Sequence, residues 1–353
     1  MNIKSLLIGS AAATAAVSGA QAADAIVIPQ PEPMEYVRVC DVYGAGFFYI
    51  PGTETCLKIG GYARYQIDWA EGDDGWRKLA RGTLTVDARS ETEYGTLGAF
   101  IELRANSSTT NPVPHLDNDG DALSTGVGGT VGLQQAIISL GGLSMGLSDT
   151  LYDAGLSGEF DSGGGDRVHF IRYTFDAANG VFVSVALEEA DTNYDYTPNV
   201  VGSLGVAQGW GSATLWGAYD ATAEEWAAKG IAKIKATSAL TLELLGTYES
   251  GHSFYSVSNG SITGANLAGY EFSAGGYIKY AVSPKVAIGF GGQYFANQHN
   301  TQFDDYALGA VLDYQIVENF DAKLAVNYRD GDTYDANPTA GNWSGFARFT
   351  RSF

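Results

Sequence analysis

The sequence predicts an all-β protein: a transmembrane antiparallel β-barrel of about sixteen strands, with short periplasmic turns and longer extracellular loops. Three observations carry that reading. The chain ends on an aromatic residue, Phe353, which closes an alternating stretch. The same alternation recurs along nearly the whole chain. The connectors between alternating stretches are short and long by turns.

In the last stretch Phe353, Arg351, Phe349, Ala347, Gly345 and Trp343 fall on one face. Ser352, Thr350, Arg348, Phe346, Ser344 and Asn342 fall on the other, because successive strand side chains point to opposite faces. Such a strand closes a barrel and presents Phe353 to the insertion machinery. Arg351 lies on the lipid side near the periplasmic edge, where its long side chain can snorkel to the interface.

From the other end, Leu57, Ile59, Gly61, Ala63, Tyr65 and Ile67 alternate with Lys58, Gly60, Tyr62, Arg64, Gln66 and Asp68. Leu84, Val86 and Ala88 then oppose Arg81, Thr83, Thr85, Asp87 and Arg89, and Leu97, Ala99, Ile101 and Leu103 oppose Gly98, Phe100, Glu102 and Arg104. Later apolar faces are Tyr270-Phe272-Ala274-Gly276-Ile278-Tyr280, Val286-Ile288-Phe290-Gly292-Tyr294, Tyr306-Leu308-Ala310-Leu312-Tyr314 and Phe320-Ala322-Leu324-Val326-Tyr328. Aromatics sit at one or both ends of these faces, at the expected membrane interfaces.

Short connectors fall at 90–95, 141–142, 176–180, 207–209, 236–239, 281–284 and 315–319. Long polar ones fall at 69–78, 106–129, 149–166, 188–199, 250–267, 296–304 and 330–341, with a tighter one at 220–224. A soluble sandwich would also alternate. It would not place Lys, Arg, Glu and Asp on the second face, where unpaired buried charge is very costly.

Residues 1–22 form a signal peptide: Lys4 gives the positive start, Leu6 to Val17 the apolar core, and Ala20-Gln21-Ala22 the cleavage site. Residues 23–56 lack sustained alternation and begin with Pro29, Pro31 and Pro33; the barrel is expected over 57–353. In an exported chain Cys40 and Cys56 read as one disulfide closing a small loop before the first strand. The net charge of −20, from 20 Lys+Arg against 40 Asp+Glu, argues against nucleic acid and suits a pore favouring cations.

Other chemistry is weak. The run Asp117-Asn118-Asp119-Gly120-Asp121 lacks the first and last ligands of a calcium loop, leaving at most a loose ion contact shared with lipopolysaccharide. Gly163-Gly164-Gly165 lacks the ending of a phosphate loop. The four His are scattered, and His169 has no Ser partner for a barrel hydrolase. No cofactor or metal is expected.

The segments MNIKSLLIGSAAA, EYVRVCDVYGAGFFYIPGTETCLKIGGYARY, AIISLGGLSMG, YDATAEEWAAK and FARFTRSF resemble the porins of alphaproteobacteria, of the Brucella and rhizobial type. The resemblance runs from end to end. It implies a sixteen-stranded general porin of the outer membrane, forming homotrimers, with the third loop folded into the lumen.

That loop carries Asp149, Asp153, Glu159, Asp161 and Asp166, the expected acidic constriction. Leu151, Tyr152, Leu156 and Phe160 would anchor it to the wall. By parity Lys58, Arg64, Arg81, Arg89 and Arg104 line the facing wall, unless they pair locally with Asp68, Asp87 and Glu102. Lys229, Lys279, Lys323, Arg329 and Arg348 read as a wet lumen surface without a special role. The expected function is passive diffusion of small hydrophilic solutes and ions, weakly favouring cations. The alternatives are a substrate-specific channel, for which inward Tyr62, Phe100 and Tyr277 are sparse, and an outer-membrane barrel hydrolase.

Overall fold

A computed structural model describes residues 38–73, 75–116, 122–190, 196–258, 269–336 and 341–353. The expected signal peptide, the proline-bearing lead-in and the Asp117–Asp121 run lie outside them.

The first described strand, β1 (Phe48–Tyr49), pairs with β2 (Cys56–Ala70). The wall continues through β3 (Arg77–Thr92), β4 (Gly95–Leu116), β5 (Ala122–Leu140), β6 (Leu143–Asp149), β7 (Arg167–Asp176), β8 (Val181–Glu189) and β9 (Asn199–Gln208). It is completed by β10 (Gly211–Asp220), β11 (Glu225–Lys235), β12 (Leu240–Glu249), β13 (Tyr270–Ser283), β14 (Val286–Gln298), β15 (Asp305–Val317), β16 (Phe320–Gly331) and β17 (Trp343–Ser352). A short helix, α1 (Asp332–Asp335), sits in the last loop. Each strand from β2 onward is antiparallel to the next, and β17 returns to β2, from Ser344 opposite Ala70 to Ser352 opposite Tyr62. These sixteen strands close a ring, so lipid meets no open sheet edge at the junction of first and last strands.

Phe353 completes the closure. Its N–H donates to the Gly61 carbonyl at 3.1 Å, and its carbonyl accepts from the Gly61 N–H at 3.3 Å. Gly61 has φ +151°, and a Cβ there would lie 2.1 Å from the Thr83 carbonyl and 3.1 Å from the Phe353 ring. The glycine leaves the space into which the terminal residue docks.

The parity of the sequence holds along the wall. Ile59, Leu84, Ile101, Ile171, Leu204, Leu244, Ile288 and Leu324 are exposed on the outer face, as lipid contact requires. Near the loop side the aromatics touch: Trp226 and Tyr248 at 5.1 Å, Tyr328 and Trp343 at 4.8 Å between ring centres. Tyr270 is an exception. Its ring is buried against Phe295 and its hydroxyl donates to Asp305, so it does not join the lipid face.

The stretches 106–116 and 122–129 are not free loop. β4 and β5 stay paired as far as Leu116 and Ala122, so the hairpin rises well beyond the strand length a bilayer needs. Beside it, β6 is only 7 residues long. It pairs with β5 from Leu143 opposite Leu140 to Leu147 opposite Ala136. Above Asp149 the chain turns inward and leaves a notch between β5 and β7. Arg167 bridges it, donating to Gln134 Oε1 at 2.6 Å.

Cys40 and Cys56 are bonded, with Cα atoms 6.0 Å apart. The enclosed segment lays Phe47 and Tyr43 over the inner face. Arg89 lies 5.3 Å from the Phe47 ring centre, and Lys58 lies 5.8 Å from it.

Candidate pore constriction

The segment 150–166 turns inward because its apolar side chains find sockets in the wall. Phe160 fills space above inward glycines: a Cβ on Gly291 or Gly309 would come within 2.7 or 2.6 Å of its ring. With Leu156 it packs on Ile231, Leu245, Tyr277 and Phe295. Tyr152 packs on Ala186, Val201 and Tyr255. Burying one such aromatic contributes about 2–3 kcal/mol.

Much of the loop backbone is satisfied by wall side chains. At the entry, Thr150 Oγ1 and the Leu151 N–H donate to Glu188, at 2.5 and 2.8 Å. Farther on, Ser157 donates through N–H and hydroxyl to Glu243 at 2.7 and 2.6 Å. Ser162 exchanges two hydrogen bonds with the Gln293 amide, 2.9 and 3.0 Å. Asn327 donates to the Glu159 carbonyl at 3.0 Å, and Arg329 to the Phe160 carbonyl at 3.3 Å. Lys229 donates to the carbonyls of Tyr152, Ala154 and Gly163. The two limbs of the loop meet there: a Cβ on Gly163 would lie 2.0 Å from the Ala154 carbonyl, so only glycine fits.

The five loop acids occupy different settings. Glu159 reaches the far wall, where Oε1 accepts from Lys323 at 2.8 Å and Arg348 at 3.1 Å. Asp161 accepts the Leu156 N–H at 2.6 Å, and burial pushes its carboxyl up to about 6. Asp166 caps the Arg167 N–H at 2.7 Å. Asp149 and Asp153 are exposed at the loop entry.

The five basic wall residues also divide. Lys58 and Arg89 lie under the disulfide segment, and Arg89 pairs with Asp87 at 2.7 Å. Among the described residues no hydrogen bond or ion pair joins either to the loop; parity gives the face of the wall, not the height along the strand. Arg104 pairs with Glu102 at 2.8 Å. Arg64 and Arg81 stand opposite each other in the β2–β3 register. Their Nε atoms donate to neutral partners, Thr350 at 3.2 Å and Asn106 at 2.7 Å. Among the described residues neither forms an ion pair with a carboxylate.

Sequence reasoning missed two things. Lys229, Lys323, Arg329 and Arg348 are not a featureless wet surface; they hold the loop. Their inward parity was visible, but no local pattern marks which inward cation meets a loop many strands away. The segment 250–258 also folds inward: Tyr255 is buried against Tyr152 and donates to Glu188 at 3.0 Å. Of the inward aromatics, Tyr277 is covered by Phe160, 6.2 Å between ring centres, and Tyr62 lies 4.8 Å beneath Arg64.

Comparison with known proteins agrees with this architecture. The sequence profile of the porin subfamily matches residues 24–352. Porin Omp2a of Brucella suis biovar 1 is 38% identical over 385 residues, covering 100% of both chains. Porin Omp2b of Brucella abortus is 39% identical with the same coverage. Among solved structures, a loop-deleted form of OmpT, an outer membrane protein of Vibrio cholerae, matches with a TM-score of 0.56 at 13% identity, covering 85% of this chain and 100% of that one. A substituted Rhodopseudomonas blastica porin matches with a TM-score of 0.53 at 18% identity, covering 84% and 100%. The closed ring, the loop inside it and the full-length relatives lead to one assignment: the chain belongs to the porin subfamily, as an outer-membrane barrel of the alphaproteobacterial general porin type.

Proposed function

We propose that the protein is a passive, water-filled channel through which small hydrophilic solutes and ions cross the outer membrane. The observation that carries this reading is the polar loop pinned inside a closed ring by wall charges. In this reading the loop narrows the lumen and leaves a water-filled opening beside it. A weak preference for cations follows from the net charge of −20 and from the loop acids, with Glu159 at the tip foremost and the exposed Asp149 and Asp153 behind it. It is weak because the narrow zone also holds Arg64, Arg81, Arg348 and Lys323. The test is the reversal potential of the purified protein in a planar bilayer under a salt gradient. A clear anion preference, or no conductance, overturns the corresponding part.

The functional unit is a homotrimer in this reading. The notch above β6 supports it: β5 has no strand partner there among the described residues, and an unpaired strand edge in lipid is costly. A neighbouring barrel would cover it. Conductance steps in multiples of three, together with cross-linking of the native protein, test this.

A further inference from the structure

We propose that Lys229 is the positioning residue that fixes the inward loop and thereby sets the bore of the channel. Its side chain leaves the inner face of β11 and is 2% exposed. Among the described residues it makes no ion pair with a carboxylate. Its ammonium instead occupies a cage of three loop carbonyls, Tyr152, Ala154 and Gly163, the last two at 2.9 and 2.7 Å. It also lies 4.1 Å from the Tyr152 ring centre and 5.4 Å from that of Trp216. An ammonium has three donors, and all three are used. The arrangement is that of a cation coordinated by backbone oxygen, with the cation tethered to the wall.

The position of the cage gives it leverage. Tyr152 and Ala154 lie on the outgoing limb of the loop and Gly163 on the returning limb. One buried charge therefore ties both limbs together and ties the pair to β11. Without the charge, three carbonyls would be left facing each other in a buried place, which is unfavourable. The other wall contacts act at single points along the loop, whereas Lys229 acts at its neck.

The test uses the full-length protein assembled into outer membranes, with two readouts. One is chymotrypsin cutting after Tyr152, Leu156 or Phe160, which needs no channel activity. The other is single-channel conductance. Lys229→Met keeps the length and loses the charge; it should be cut at least about tenfold faster, the factor expected for losing one charge-assisted hydrogen bond. Its open current should also be larger or noisier. Lys229→Arg should stay close to wild type. In Lys229→Ala, added n-propylammonium replaces the deleted atoms and should restore protection, whereas tetramethylammonium, which has no N–H, should not. Wild-type protection in the Met variant, or equal rescue by both cations, overturns the proposal. If the Ala and Met chains do not assemble, refolding the Ala chain in detergent decides. Rescue by n-propylammonium alone supports the proposal, and rescue by neither or by both overturns it. The link to the bore rests on the channel reading. A wild-type barrel that does not conduct would sink that reading while leaving the protease result to judge the loop.

Discussion

The Glu159 carboxylate lies 2.8 Å from the Lys323 ammonium, although the two residues are 164 positions apart in the chain. Arg348 approaches the same oxygen. One acid thus offsets two wall cations at the tip of the loop. Glu159→Gln removes that offset and leaves the cations facing the lumen. The permeability ratio should move towards anions by a factor of roughly two to five. Replacing Asp149, Asp153, Asp161 and Asp166 together should move it less. Reversal potentials in a salt gradient measure both, and a larger effect from the group of four would move the selectivity away from Glu159.

Asp161 predicts a pH response. Its carboxyl is raised to about 6 by burial, so the folded loop holds the proton more tightly than the unfolded chain does. The stability this gives is fully present below the unfolded value and is lost as pH rises through about 6. The loop should therefore resist chymotrypsin better at about pH 5 than at about pH 7.5. Asp161→Asn keeps an acceptor for the Leu156 N–H and should flatten the dependence. A pH profile identical in the two proteins would contradict this assignment.

The disulfide spans a sequence separation of 16, and closing a loop of that size stabilises by about 3 kcal/mol on the chain-entropy estimate. Replacing both Cys40 and Cys56 by Ser should lower the unfolding temperature. It should also loosen Phe47 from Lys58 and Arg89 at the turn side. Thermal unfolding with and without reductant measures it, and wild-type protein indifferent to reductant would refute it. Cation selectivity should change little, because the disulfide segment does not touch the loop's charged tip.

Gly61 and Phe353 predict an assembly defect. Gly61→Val places a branched side chain against the Thr83 carbonyl and the Phe353 ring. Removing Phe353 deletes both hydrogen bonds to Gly61. Either change should reduce the amount of closed, heat-modifiable barrel in outer-membrane fractions. Normal yields from both variants would show that closure does not depend on this contact.

The barrel was legible because a strand wall is a local code. Two-residue alternation at Leu57–Asp68 or Tyr306–Tyr314 needs no knowledge of distant partners, and turn positions follow where it breaks. The stretches 106–116 and 122–129 were misread because their polar composition hides the pairing of β4 with β5. The constriction was legible only as a loop with acids and anchors. Which acid meets which cation depends on contacts such as Glu159 with Arg348, 189 positions apart, and no spacing rule reaches so far. Lys58 and Arg89 show the complementary limit: parity gives the face of the wall but not the height.

Those separations also impose an order in time. The wall groups that receive the loop stand on β8, β11, β12, β14, β16 and β17, all later in the chain than the loop itself. Closing such distant contacts is slow relative to forming neighbouring hairpins. The tip of the loop, held by Lys323, Asn327 and Arg329 of β16, gains its last wall contact, Arg348, only when β17 is in place. The aperture is therefore the final dimension of the molecule to be defined, and a barrel halted before closure would be wide and ungauged rather than narrow.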